Sequence, residues 1–135
     1  MTAKQYLRQV KRLDNLINAK LEQVDELRGI VTKITSKIDA VKVEKHGFVD
    51  KTGALISKIV DLEEDINRNV DKLIDLKAEV IENIDKVKNQ DYRLLLTLRY
   101  LNFWTWEQIA VEMNYSYVHV HRLHSRALQE FNINS

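Results

Sequence analysis

The residues with the greatest chemical capacity lie near the end of the chain, where His119, His121 and His124 stand within six positions. Imidazoles can ligate metals, shuttle protons or meet phosphates. A metal site is disfavoured here. The spacing puts only His121 and His124 on neighbouring helical faces, and no cysteine assists them. A titratable role beside an anion fits the three better, with affinity rising as pH falls toward about 6.5. The carboxylates Glu63, Glu64 and Asp65 form a charged run that reads as a solvated helix face. No Ser, His and Asp grouping, glycine-rich phosphate loop or ligand cluster occurs, so the pattern points away from an enzyme, a metal or a cofactor and toward a binding protein.

Charge alone does not announce the partner. The net formal charge is +1, and residues 89–135 hold four basic and four acidic side chains. The absence of cysteine removes any disulfide framework, and the early charged residues leave no apolar leader, which makes the expected location cytoplasmic. Apolar runs reach only three residues, as at Leu94–Leu96, far below a membrane span.

The elements that must position these groups are helices. The 135-residue chain has no proline and three glycines, so little interrupts a composition rich in Leu, Lys, Glu and Ile. From about Lys4 to Val43, Val10, Ile17, Val24, Val31 and Ile38 occupy one heptad position. Leu13, Leu27, Ile34 and Val41 occupy the other, and Lys20 breaks the stripe. Such a helix, roughly 60 Å long, requires a partner to bury its stripe. Gly47 and Gly53 bracket a charged stretch, Glu44–Thr52, that is expected to reverse the chain, with Thr52 or Asp50 capping the return helix. That helix, about Ala54–Lys88, repeats Ile59, Ile66, Leu73, Val80 and Val87, with Leu55, Leu62 and Leu76 between them and Asn69 and Asn83 interrupting.

The predicted architecture is therefore all-α, a long antiparallel hairpin over residues 1–88 followed by a C-terminal helical domain over 89–135. Leu7, Leu16, Leu21 and Ile30, with Val60, Val70, Ile74, Ile81 and Ile84, lie beside the strict seam. A second copy packing there, as a homodimer with four helices, would bury them, although the C-terminal domain folding back could cover part of the same surface.

Near Asn89 the composition shifts, and eight of the ten aromatics lie from Tyr92 onward. Tyr92–Leu101 reads as a short helix with Leu94, Leu95 and Leu98 inward, and Asn102–Trp104 as a connection. Thr105 and Gln108 form the capping-box pattern for a helix running to about Met113. Asn114 tolerates a left-handed turn, and Ser116 caps a further helix. Ile109, Ala110 and Met113 are predicted to face Val120 and Leu123, while Trp104 and Trp106 read as core.

These residues carry a resemblance. The stretch Arg93–Tyr100, then Trp106-Glu-Gln-Ile-Ala110, then Ser116–Leu123 and Arg126-Ala-Leu128 resembles region four of a bacterial sigma factor, over about 40 residues. The whole layout is similar to small phage-encoded regulators of Gram-positive hosts, described as sigma-like or late-transcription regulators. The resemblance implies a helix-turn-helix that binds double-stranded DNA in transcription regulation, with a recognition helix from Ser116 to about Phe131. Tyr117, Val118, His121 and Arg122 would approach base edges, Arg122 through a bidentate contact to guanine, and Ser116, His119, Ser125 and Arg126 would meet phosphates. Arg93 and Arg99 would add backbone contacts. Tyr117, His119 and His121 stand where sigma recognition helices usually carry arginines, and no counterpart of the segment that reads the other promoter element is present. An accessory regulator is thus the expectation. Its rival is an adaptor that binds RNA polymerase or another regulator without reading DNA.

Overall fold

The computed structural model describes residues 1–40 and 46–133, and among these every regular element is helical. The elements are α1 (Ala3–Ala40), α2 (His46–Asp85), α3 (Gln90–Leu96), α4 (Trp106–Met113) and α5 (Tyr117–Glu130). The expected reversal at Glu44–Thr52 falls in part on residues 41–45, outside the described residues, as does Val41. Its remainder differs from expectation: the return helix begins at His46, so Asp50, Thr52 and Gly53 lie within α2 and cap nothing. Gly53 has open space where a side chain would sit. An exposed helical glycine costs only about 1 kcal/mol relative to alanine, which the forty residues of α2 absorb.

The chain divides into two compact units, Met1–Asp14 with the chain from Lys72 onward, and Asn15–Asp71. In the second unit the heptad residues Ile17, Val24, Ile59 and Ile66 are buried, joined by Asn69. Arg28 donates to Glu63 at 2.6 Å. Leu16, Leu21, Ile30, Ile56 and Val60 remain exposed.

The first unit holds the larger core. Leu7 and Val10 of α1 and Val80 and Ile84 of α2 pack into one cluster with Leu95, Leu96, Ile109 and Val120, all at 2% exposure or less. Tyr6 lies against Phe131, and Asn83 donates its amide to the Tyr6 hydroxyl at 3.2 Å and to the Ile133 carbonyl at 3.1 Å. The heptad interruption at Asn83 is thus a satisfied buried polar group.

Asn89 caps α3 by accepting from the Asp91 and Tyr92 amides. Beyond Leu96 the helix widens into a π-type turn, Thr97–Leu101, closed by the Asn102 amide on the Thr97 carbonyl at 3.0 Å. Tyr92, Leu95 and Leu96 form the buried face of α3 at ordinary helical spacing, so Leu94, expected inward, is exposed, and Leu98 and Tyr100 are buried within the wider turn. Thr105 and Gln108 form the reciprocal capping box of α4. The turn to α5 runs through Asn114 at φ 58°, ψ 42°, the left-handed region that asparagine tolerates. Ile109, Val120, Leu123 and Ala127 then seat α5 on α3 and α4.

Candidate nucleic-acid interface

α5 is strongly two-sided. Val120, Leu123, His124 and Ala127 form its buried face, and Val118, Arg122, Ser125 and Arg126 fall, at helical spacing, on the exposed one. The first turn is fixed by Ser116, whose hydroxyl oxygen accepts the His119 amide at 3.1 Å. That bond uses the oxygen as acceptor and leaves the hydroxyl proton for an outside acceptor. Tyr115 ties the preceding turn to the start of α3 by donating its hydroxyl to Asp91 at 2.9 Å, and the carboxylate beside it raises the phenol above its ordinary pKa.

The eight residues singled out in the sequence separate into two groups. Ser116, Tyr117, Val118, Arg122, Ser125 and Arg126 are exposed. Arg122 and Arg126 form no ion pair among the described residues. Ser125 donates its hydroxyl to the His121 carbonyl at 3.3 Å, and must release that bond to donate elsewhere. His119 and His121 are half-buried. The His119 ring meets Tyr115 at 4.6 Å between centroids. His121 sits between Trp106 at 4.6 Å and Tyr117 at 4.5 Å, with Nε2 shielded from solvent and without a hydrogen-bond partner among the described residues.

The third histidine departs from its expected role. His124 is buried, its Nε2 2.6 Å from the Tyr100 hydroxyl and its ring edge-on to Trp106. Burial, followed by the positive charges of Lys4, His121, Arg99 and Arg8, lowers its pKa to about 4. It stays neutral at physiological pH and takes no part in a surface titration. Burial likewise raises the Tyr100 phenol and keeps it protonated. Among the described residues no three His, Cys, Asp or Glu side chains converge as metal ligands.

The two arginines expected to support the interface are engaged elsewhere. Arg93 donates to the carbonyls of Val87 and Lys88, tying off the end of α2. Arg99 stacks on Trp106, 4.3 Å from the ring centroid, and donates to the Trp104 carbonyl at 2.9 Å. Both tryptophans are half-buried and pack against the core.

Sequence reasoning missed a set of cations on α1. Lys4, Arg8 and Lys11 stand beside Arg99, and their spacing along the helix was the signal available.

The family described as "Protein of unknown function (DUF1492)" matches residues 32–132 of the chain. No curated protein and no solved structure matches. No helix among the described residues is long and apolar enough to cross a membrane.

Proposed function

The chain belongs to that family, and from its C-terminal geometry we propose that it is a sequence-specific double-stranded DNA-binding regulator of transcription. The α4-turn-α5 unit acts as a helix-turn-helix of the sigma region-four kind. The observation that carries this reading is the outer face of α5, where Tyr117, Val118 and Arg122 stand exposed on a helix whose other face is locked into the core. A fourteen-residue helix held from behind can enter a major groove, and an arginine free of ion pairs can reach a guanine edge. Ser116 and Arg126 flank it as phosphate donors. The phage setting follows from the resemblance of the sequence, and a second copy on the exposed apolar residues of the hairpin would supply the two-fold partner that paired half-sites require.

A second reading has its own supporting observation. Trp104, Gln108 and Val111 line a groove of about 400 Å³ together with Glu107 and Glu112, and Val111 is 83% exposed. This apolar, acid-edged surface suits a protein partner such as RNA polymerase, with no DNA read directly.

Salt separates the two. Phosphate-dominated binding falls steeply between about 50 and 200 mM salt, whereas an apolar protein interface holds. We expect duplex binding measured by fluorescence anisotropy to weaken steeply over that range, and Arg122→Ala to cost about 1–3 kcal/mol. Salt-insensitive retention of purified polymerase, unchanged by Arg122→Ala and without duplex binding, would establish the adaptor instead.

A further inference from the structure

Within the unit formed by Met1–Asp14 and the chain from Lys72 onward lies a cavity of about 320 Å³. Its rim carries Lys4, Arg8, Lys11 and Arg99, and its wall carries Tyr100, Phe103 and Trp106. No carboxylate lines it, and none of the four cations forms an ion pair among the described residues.

Stability does not account for this arrangement. Lys4, Arg8 and Lys11 share one face of α1 at spacings of four and three residues, where like charges repel. Lys4 also lies in the first turn of α1, which holds no acidic residue, so it meets the positive end of the helix dipole. The aromatic wall braces two of the cations, Lys11 and Arg99. Lys11 Nζ stands 4.5 Å from the Phe103 centroid, Lys77 Nζ approaches the same ring at 5.6 Å, and Arg99 lies on Trp106. Phe103 reaches this position with φ at 61°, a left-handed conformation that costs a bulky residue about 1–3 kcal/mol. Four uncompensated cations, aromatic braces and a strained residue converge on one concave site.

We propose that this cavity binds an oligoanionic phosphoryl group, one carrying two or more negative charges. Arg8 presents a planar donor fork suited to phosphoryl oxygens, Arg99 adds its charge and the N–H groups not spent on the Trp104 carbonyl, and Lys4 and Lys11 add point charges at the rim. The same chemistry is offered by a free polyphosphate and by consecutive phosphates of a nucleic-acid backbone. The site is separate from the outer face of α5 and stands whether or not that face reads DNA.

The test uses the full chain, isotope-labelled, titrated with sodium pyrophosphate and followed by amide chemical shifts and tryptophan fluorescence. Saturable binding is expected to move the resonances of Tyr100, Phe103 and Trp106. It should weaken about tenfold or more in Arg8→Gln and in Lys11→Gln, both exposed positions whose folding is checked by circular dichroism. Arg122→Ala should leave it unchanged, which keeps failure here distinct from failure of the DNA reading. Duplex DNA that displaces pyrophosphate identifies the backbone as the source, and pyrophosphate retained under saturating duplex identifies a free phosphoryl ligand. Absence of saturable binding by both probes, or equal affinity in Arg8→Gln and the parent, would overturn the proposal.

Discussion

Two asparagines two heptads apart on α2 interrupt the same apolar stripe, and their surroundings differ. Asn83 is buried in the larger core and spends its amide on Tyr6 and Ile133, stitching α2 to both ends of the chain. Asn69 is buried in the hairpin unit, and its Nδ2 has no hydrogen-bond partner among the described residues. A buried polar group stabilises when satisfied and costs when orphaned, so two identical interruptions have opposite energetic sense. The wider contrast between the units follows the same line. One buries aliphatic, aromatic and polar groups from all five helices around a shared centre, and the other closes a narrow seam with apolar residues left outside.

The largest expected effect falls in the shared core. Ile109→Ala removes a fully buried side chain contacted from several directions and should lower the unfolding free energy by about 3–4 kcal/mol in urea denaturation. Ile66→Ala in the seam should cost about 2 kcal/mol, because a seam with an open side relaxes more readily. Equal losses would erase the contrast.

Acid should act on the same core. His124 has its pKa lowered to about 4 against an ordinary value of 6.5. Between those limits the unfolded chain binds a proton that the folded one refuses, so stability falls as pH drops from about 6.5 to 4 and is fully present above 6.5. The loss amounts to about 3 kcal/mol at most. Denaturant midpoints at pH 7 and pH 4.5 test this, and His124→Phe, which cannot titrate, should flatten the dependence.

The asparagines give smaller effects of opposite sign. Asn83→Leu should destabilise by about 1–2 kcal/mol by stranding the Ile133 carbonyl and removing the donor to the Tyr6 hydroxyl, and Asn69→Leu should stabilise by about 1 kcal/mol. Thermal unfolding of the two variants beside the parent would show midpoints moving apart. Smallest of all is Arg28→Ala, since its bond to Glu63 joins two exposed side chains and is worth less than about 0.5 kcal/mol.

Much of this fold was legible because local chemistry carried it. Thr105 with Gln108, Asn114 in the left-handed region and Ser116 each act within four residues, and the structure uses them as the sequence predicts. The heptads likewise named the buried seam at Val10, Ile17, Val24, Ile59 and Ile66. The features that stayed hidden depend on long-range packing. Tyr92 docks in the core, so Leu95 and Leu96 face inward in place of Leu94, and no local propensity signals that choice or the π-type turn that follows at Thr97–Leu101. His124 reads in the sequence as a third surface imidazole, and only the fold brings Tyr100 against it across 24 positions. The basic cavity was invisible for the same reason, since its α1 cations meet Arg99 and the aromatic wall only through the fold, although the shared face of Lys4, Arg8 and Lys11 was written in the spacing.

Whether the outer face of α5 reads DNA is decided by incubating the purified full chain with fragmented bacterial and phage DNA at about physiological salt and sequencing the retained fragments, beside Arg122→Ala. Enrichment of a discrete sequence motif by the parent, lost in the variant, is the expected result. Retention without a motif, or a motif that survives Arg122→Ala, would contradict it.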